Sequence, residues 1–333
     1  MLEPFITAFS GLKLKDSARF RNFAAMMLPS DTMPVQLLLG TAMWGWTVSR
    51  PTCFDLLDTF YAAGFRQVDA AVNYPINKNP DDFRAAEHIL LEWINTHGIR
   101  DLRITMKLGS LNNLRSPEHN LSKSFLLLNL DDYRYRLGSN WDTLMVHWDN
   151  RDDPGAITET MEALAIARNA GLRIGLSGIR HPELYARLNA QSQFNFDFHI
   201  QIKHNFLQSD YARYSDFHGS RRFSAYGIHA GGIKPDASAY RPDSSLAARG
   251  GNVQALAPEV EQWRQLIEKQ PRPLGFHEAA MMLAAGHPDI ESIVVGPSSQ
   301  AQLLDTIKVW KNMDYVASQA LYSDHTTSPQ NRQ

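Results

Sequence analysis

The chain predicts a (β/α)8, or TIM, barrel folded as a single domain. Three observations carry that expectation. From residue 35 onward short apolar β-type runs alternate with stretches of helical period, the runs number eight, and polar or ionisable side chains stand at the ends of several of them. Length alone would permit two domains, because 333 residues exceed the roughly 250 typical of one barrel. Barrels carry insertions, so the pattern decides. It predicts an N-terminal extension over 1–34, a barrel over 35–315 and a C-terminal tail over 316–333.

The eight runs are VQLLLG at 35–40, RQVDAA at 66–71, LRITMK at 102–107, DTLMVHW at 142–148, LRIGLS at 172–177, FHIQIK at 198–203, RFSAYG at 222–227 and ESIVVG at 291–296. Between the fourth and fifth, Ile157, Met161, Leu164 and Ala165 repeat at helical spacing, and Gly171 closes the segment as a helix C-terminal glycine does. Phe54, Leu57 and Tyr61 mark a helix after the first run, and Leu303, Ile307 and Trp310 mark one near the end. These stripes read as core. The stretch from Gly231 to Pro258 is rich in Gly, Ser, Pro, Ala and Arg, has neither period, and is long for a barrel connection, which marks it as a candidate functional loop. The last residues, SDHTTSPQNRQ, are polar without apolar anchors and are expected to be mobile.

Composition excludes several classes. A net charge of −2, from 33 Lys+Arg and 35 Asp+Glu without a long basic run, offers no footprint for a nucleic-acid backbone. The single cysteine, Cys53, allows no internal disulfide, zinc ribbon or redox pair, and no metal site is assigned. No stretch approaches the roughly 18 apolar residues of a membrane span. A cytoplasmic protein is expected, with no membrane partner. Lys13, Lys15, Arg19 and Arg21 loosely suggest a transit peptide, but Glu3 and Asp16 argue for an ordinary extension. The sequence assigns no oligomeric state.

Barrel enzymes carry reactive side chains at the C-terminal ends of strands, where the loops converge on one mouth. Asp69 and Tyr74 follow from the second run, Lys107 ends the third and His147 ends the fourth. Each alone reads equally well as a structural ion pair or a satisfied core histidine. Together, through VDAAVNYP at 68–75, ITMKLG at 104–109 and LMVHWDN at 144–150, the chain resembles the aldo-keto reductase family over nearly everything after residue 35. That resemblance implies Asp69, Tyr74, Lys107 and His147 as the catalytic set of an enzyme that reduces a small-molecule carbonyl, or oxidises an alcohol, with a nicotinamide cofactor. The chemistry suits these residue types. Hydride delivery leaves negative charge on oxygen, which Tyr74 would neutralise as general acid. A Lys107 ammonium would favour the phenolate, Asp69 would hold that lysine, and His147 would fix the substrate oxygen.

The resemblance further implies that Ser177 and Gln201 meet the cofactor carboxamide and that Tyr226 stacks on the nicotinamide. It places the phosphates at Gly231 and Gly232 and at the helix start of Ser298, Ser299 and Gln302, where Ser299 and Gln302 also have capping-box spacing. Three departures stand out. Gly178 follows Ser177 where the family usually has Asn, which implies the loss of one hydrogen bond to the cofactor carboxamide. Gln302 stands where many members place an arginine for the ribose 2′-phosphate, and Thr306 where an asparagine commonly meets the adenine. The third is His229, in place of a usual apolar residue, for which the sequence offers no physical reason. Selection between cofactors is therefore expected to be weak, with NADP(H) slightly favoured and NAD(H) also accommodated. Trp44 and Trp148 follow strand ends and are expected to wall the substrate pocket. Two alternatives remain. A nicotinamide-binding but catalytically weak regulatory or sensor barrel is opposed by the intact tetrad. A hydrolase using Asp149, Asp152 and Asp153 is opposed by the simpler reading of a solvated acidic loop.

Overall fold

In the computed structural model, which describes residues 34–191, 193–234 and 257–327, eight parallel strands close into one barrel with β8 paired to β1. The strands are β1 (Gln36–Gly40), β2 (Gln67–Ala71), β3 (Arg103–Leu108), β4 (Trp141–His147), β5 (Arg173–Ser177), β6 (His199–Lys203), β7 (Phe223–Tyr226) and β8 (Ile290–Val295). All eight runs become strands, with ends within about a residue or two of the expected ones. The N-terminal extension, apart from Pro34, and most of the Gly231–Pro258 stretch lie outside the described residues.

Local chemistry explains the helices around the barrel. Helix α1 (Arg50–Ala62) starts where the Ser49 side chain accepts from the Thr52 amide, with Pro51 in the first turn. Its buried face is Cys53, Leu56, Leu57 and Phe60, so the stripe is rotated from the one expected; Phe54 and Tyr61 are only half-buried. After β2 and β3 come α2 (Ala85–His97) and α3 (Lys123–Leu137). Helix α4 (Pro154–Asn169) begins on Asp153, whose carboxylate accepts from the Gly155 amide, and buries Ile157, Met161 and Leu164. Helix α5 (Pro182–Asn189) follows β5, whereas a 3-10 segment, Tyr211–Phe217, stands in the place of a helix after β6. The circuit closes with α6 (Ala257–Glu268), α7 (Phe276–Gly286), β8 and α8 (Gln300–Lys311), which buries Leu303, Ile307 and Trp310.

The C-terminal segment corrects one expectation. Residues Tyr315–Thr327 form a helix, α9, with Ser318 and Leu321 fully buried, so 316–327 is a packed element instead of a mobile tail. It lies so close to α7 that a Cβ on Gly286 would sit 2.0 Å from the Ser318 carbonyl oxygen. A glycine is required there because the two backbones touch. Residues 328–333 lie outside the described residues. Among the described residues no helix is long and apolar enough to cross a membrane.

Candidate active site

Parallel register sets the expected residues in neighbouring positions at the C-terminal ends of the strands. Lys107 of β3 pairs with Ala71 of β2, His147 of β4 with Ser177 of β5, Ser177 with Gln201 of β6, and Lys203 with Tyr226 of β7. The Gln201 side-chain amide donates to Asp69 Oδ1 at 2.7 Å. Strands β2 and β6 are not neighbours, so this bond crosses the barrel interior and both side chains point inward.

Lys107 is the hub. Its Nζ donates to Asp69 Oδ2 at 2.6 Å and to Gln201 Oε1 at 2.9 Å, and it is hydrogen-bonded to Tyr74, whose ring centroid lies 5.1 Å away. The ammonium is completely buried and Asp69 nearly so. Burial works against the lysine's charge, but Asp69 and Tyr74 favour it, and the net direction of its pKa is upward. The site thus holds a fixed positive charge beside the phenol of Tyr74.

His147 meets Tyr74 edge-on, with ring centroids 6.1 Å apart. Burial, then the Lys107 charge, holds the imidazole well below the usual histidine range, so it is neutral near pH 7. Its Nδ1 is sealed from solvent with no hydrogen-bond partner, whereas the ring lines the cavity, so Nε2 is the nitrogen a ligand could reach. Backbone approach keeps this edge of the barrel tight: a Cβ on Gly109, the glycine after the ITMKL strand, would meet the His147 carbonyl oxygen at 2.5 Å.

These groups open on a cavity of about 1080 Å³ at the barrel mouth, lined by Asp69, Tyr74, His147, Trp148, Ser177, Gln201 and Tyr226 among others. Gln201 is less free than expected, because one of its two N–H groups serves Asp69 and its oxygen accepts from Lys107 and, at 3.4 Å, from Ser177. One N–H remains for a ligand. Gly231 and Gly232 line the cavity at positive φ, and a Cβ on Gly232 would meet nothing within 4 Å, so room stands open beside the backbone. Ser298 and Gln302 also line it, but Gln302 folds back to accept from the Ser298 amide at 2.8 Å and hydroxyl at 3.0 Å. Ser299 does not reach the wall; its hydroxyl accepts from the Gln302 amide as a helix cap.

Of the two tryptophans expected in the pocket, Trp148 lines it and Trp44 does not. Trp44 is 1% exposed and part of the core, in a segment where the Gly45 amide donates to the Val48 carbonyl. Phe206 and Trp263, which the sequence did not single out, join Trp148 and Ile76 as aromatic and apolar wall. Trp148 explains Gly178. The glycine sits at φ +67°, and a Cβ there would come 2.5 Å from the indole Cδ1. Asp149 is no solvated acid either: it is buried, bonded by Arg151 at 2.8 Å and by Tyr185 at 2.6 Å, while Asp153 caps α4. His229, the unexplained departure, hydrogen-bonds to His277 of α7 with 2.8 Å between His229 Nε2 and His277 Nδ1. The partner stands 48 positions away, and no spacing in the sequence signals it.

A closed parallel barrel with a charged lysine buried between a carboxylate and a phenol, beneath a cavity of this size, defines an enzyme-like α/β barrel. The family model described as the aldo/keto reductase family matches residues 36–324, and the chain belongs to that family, an oxidoreductase family. The chain is also similar to a Saccharomyces cerevisiae protein named "Putative aryl-alcohol dehydrogenase AAD3", at 28% identity over 183 residues. That match covers 50% of this chain and 47% of the yeast protein, about half of each.

Proposed function

We propose that the chain is an NAD(P)H-dependent carbonyl reductase, working in either direction, with Tyr74 as general acid. The observation that carries this reading is the buried Lys107 ammonium, bonded both to Asp69 and to Tyr74 at the floor of the cavity. The residues along the cavity fit a dinucleotide: open space beside Gly232, the Tyr226 ring at the end of β7, and the spare Gln201 N–H. When bound, the nicotinamide supplies the hydride that goes to the carbonyl carbon. The chain supplies the rest. Neutral His147 donates from Nε2 to the substrate oxygen and fixes its position; Tyr74 Oη gives its proton to that oxygen as charge develops, and Lys107 stabilises the phenolate left behind until solvent returns the proton. Asp69 keeps Lys107 charged and in place.

The aromatic wall of Trp148, Phe206 and Trp263 and the name of the yeast relative both support aromatic aldehydes and alcohols as the first substrates to try. The test measures oxidation of NADPH and NADH with benzaldehyde derivatives, and cofactor binding by quenching of tryptophan emission. Tyr74→Phe should lower turnover by at least roughly 10²-fold while leaving cofactor affinity nearly unchanged. Absence of saturable binding of either cofactor at millimolar concentration, or retention of most activity by Tyr74→Phe, refutes the reading.

A further inference from the structure

We propose that the His229–His277 pair is the cation of the nucleotide end: it takes up a proton to hold a phosphate group of the bound dinucleotide, in place of the arginine that Gln302 does not supply. This inference rests on the cofactor reading above. The pair lines the same cavity, His229 from the segment that runs from Tyr226 to Gly232 and His277 from the first turn of α7, together with Gln302, Asp305 and Thr306 of α8. The two rings stack at 4.8 Å between centroids and share one hydrogen bond of 2.8 Å between nitrogens. His277 Nε2 is taken by the Thr306 hydroxyl at 3.2 Å, so His229 Nδ1 is the ring nitrogen with no protein partner among the described residues. In an N–H···N pair only one proton is shared. Adding a second from solvent leaves that bond intact and makes every ring nitrogen but the acceptor a donor, with a full positive charge behind them.

The surroundings keep the empty pair neutral. Burial, then the neighbouring ring, pushes His229 down to about 3, and burial also lowers His277. The charges facing the pair are Asp305 of α8, 3.9 Å from His277, and Glu278 of α7, both of which draw His277 back upward; Glu278 is shared with Arg272. Lys234 stands further along the same wall. A phosphate dianion arriving beside the pair adds to the attraction and tips it toward the imidazolium. Binding then consumes a proton, so affinity rises as pH falls, by at most about tenfold per pH unit for one proton. This direction is diagnostic, because a 2′-phosphate held by neutral donors behaves oppositely: its own second pKa near ~6 removes the dianion as pH falls.

The experiment is calorimetric titration of the full chain with NADP+ and with NAD+ at pH 7–7.5 in buffers of different ionisation enthalpy, which reads protons taken up per ligand. Fractional proton uptake that grows when the titration is repeated at lower pH is expected, lost in His229→Leu and His277→Gln. Uptake with NADP+ alone identifies the 2′-phosphate as the anion, and uptake with both cofactors identifies the pyrophosphate. Binding of both without proton uptake overturns the proposal and leaves the reductase reading standing, as does uptake unchanged in the two variants. Failure of either cofactor to bind overturns both. Should a variant not fold, the wild-type proton count decides.

Discussion

Replacing Lys107 by methionine tests whether the buried ion pair organises the site as its geometry requires. The side chains are of similar length and the cavity floor stays filled, so the change removes charge more than volume. What it leaves is the Asp69 carboxylate, 3% exposed and without a cation. Breaking a buried pair from one side costs about 3–5 kcal/mol. Here Gln201 still donates to Asp69 Oδ1, which keeps the cost toward the lower half of that range. With a change of roughly 2–4 °C per kcal/mol for domains of a few hundred residues, the melting midpoint should fall by roughly 6–16 °C. Adding Asp69→Asn removes the stranded charge and should recover at least about 2 kcal/mol, because it is the unpaired ion that is expensive. Urea denaturation of the wild type, both single variants and the double variant supplies the comparison. A Lys107→Met protein within about 1 kcal/mol of wild type, or a double variant no more stable than the single, would show that Lys107 and Asp69 are not the mutually dependent pair the distances imply. Carbonyl reduction should be nearly abolished in both, since Tyr74 loses its charge partner even where stability returns.

Two further outcomes are expected. Gln302→Arg, which exchanges a helix-capping amide for a cation at the cavity wall, should raise the ratio of NADH to NADPH dissociation constants by about tenfold or more, from a wild-type ratio under roughly a hundredfold; both are read at pH 8 and fixed ionic strength, where the histidine pair is neutral, and a wild-type ratio above about a thousand would point to another basic residue on the phosphate. Gly286→Ala should cost roughly 1–3 kcal/mol in thermal or urea unfolding by prising α9 from α7, and an unaffected protein would show that the close packing of the Ser318 carbonyl on Gly286 is not maintained in solution.

The parts of this molecule that the sequence reveals are those set by local pattern. Strands of a parallel barrel are buried on both faces, so VQLLLG or ESIVVG reads as a continuous apolar run with little to compete with it. The order Asp69, Tyr74, Lys107, His147 is legible for a related reason: each stands at or just beyond a strand end, and one rule of barrel geometry brings strand ends together. Where the structure departs from expectation, the cause is a contact between distant segments. Helix α9 has a weak apolar pattern, with Val316 73% exposed, and it docks through a backbone approach to Gly286 that leaves no mark on its own side chains. Trp44 follows a strand end just as Trp148 does, yet the first is core and the second lines the cavity, a difference set by how the two loops fold and not by the position after the strand.

The departures from the family pattern behave alike. Gly178 read as the loss of a carboxamide contact, yet its Cβ position is taken by the Trp148 indole, which stands at φ +62° and tilts against the His147 ring at 4.7 Å. A side chain at 178 and this placement of Trp148 exclude each other, so the missing asparagine and the aromatic wall are one packing choice; on the proposed reading it trades a polar contact to the cofactor for apolar surface in the cavity. His229 likewise makes sense only with His277, whose Nδ1 is the protein partner of its Nε2. Substitutions that look like isolated losses along the chain therefore come in spatial pairs, one partner in the motif and one outside it. For that reason Gly178→Asn should strain the site unless Trp148 is also made smaller, and the coupling between the two changes, not the effect of either alone, measures how far the substrate wall and the cofactor grip are the same piece of structure.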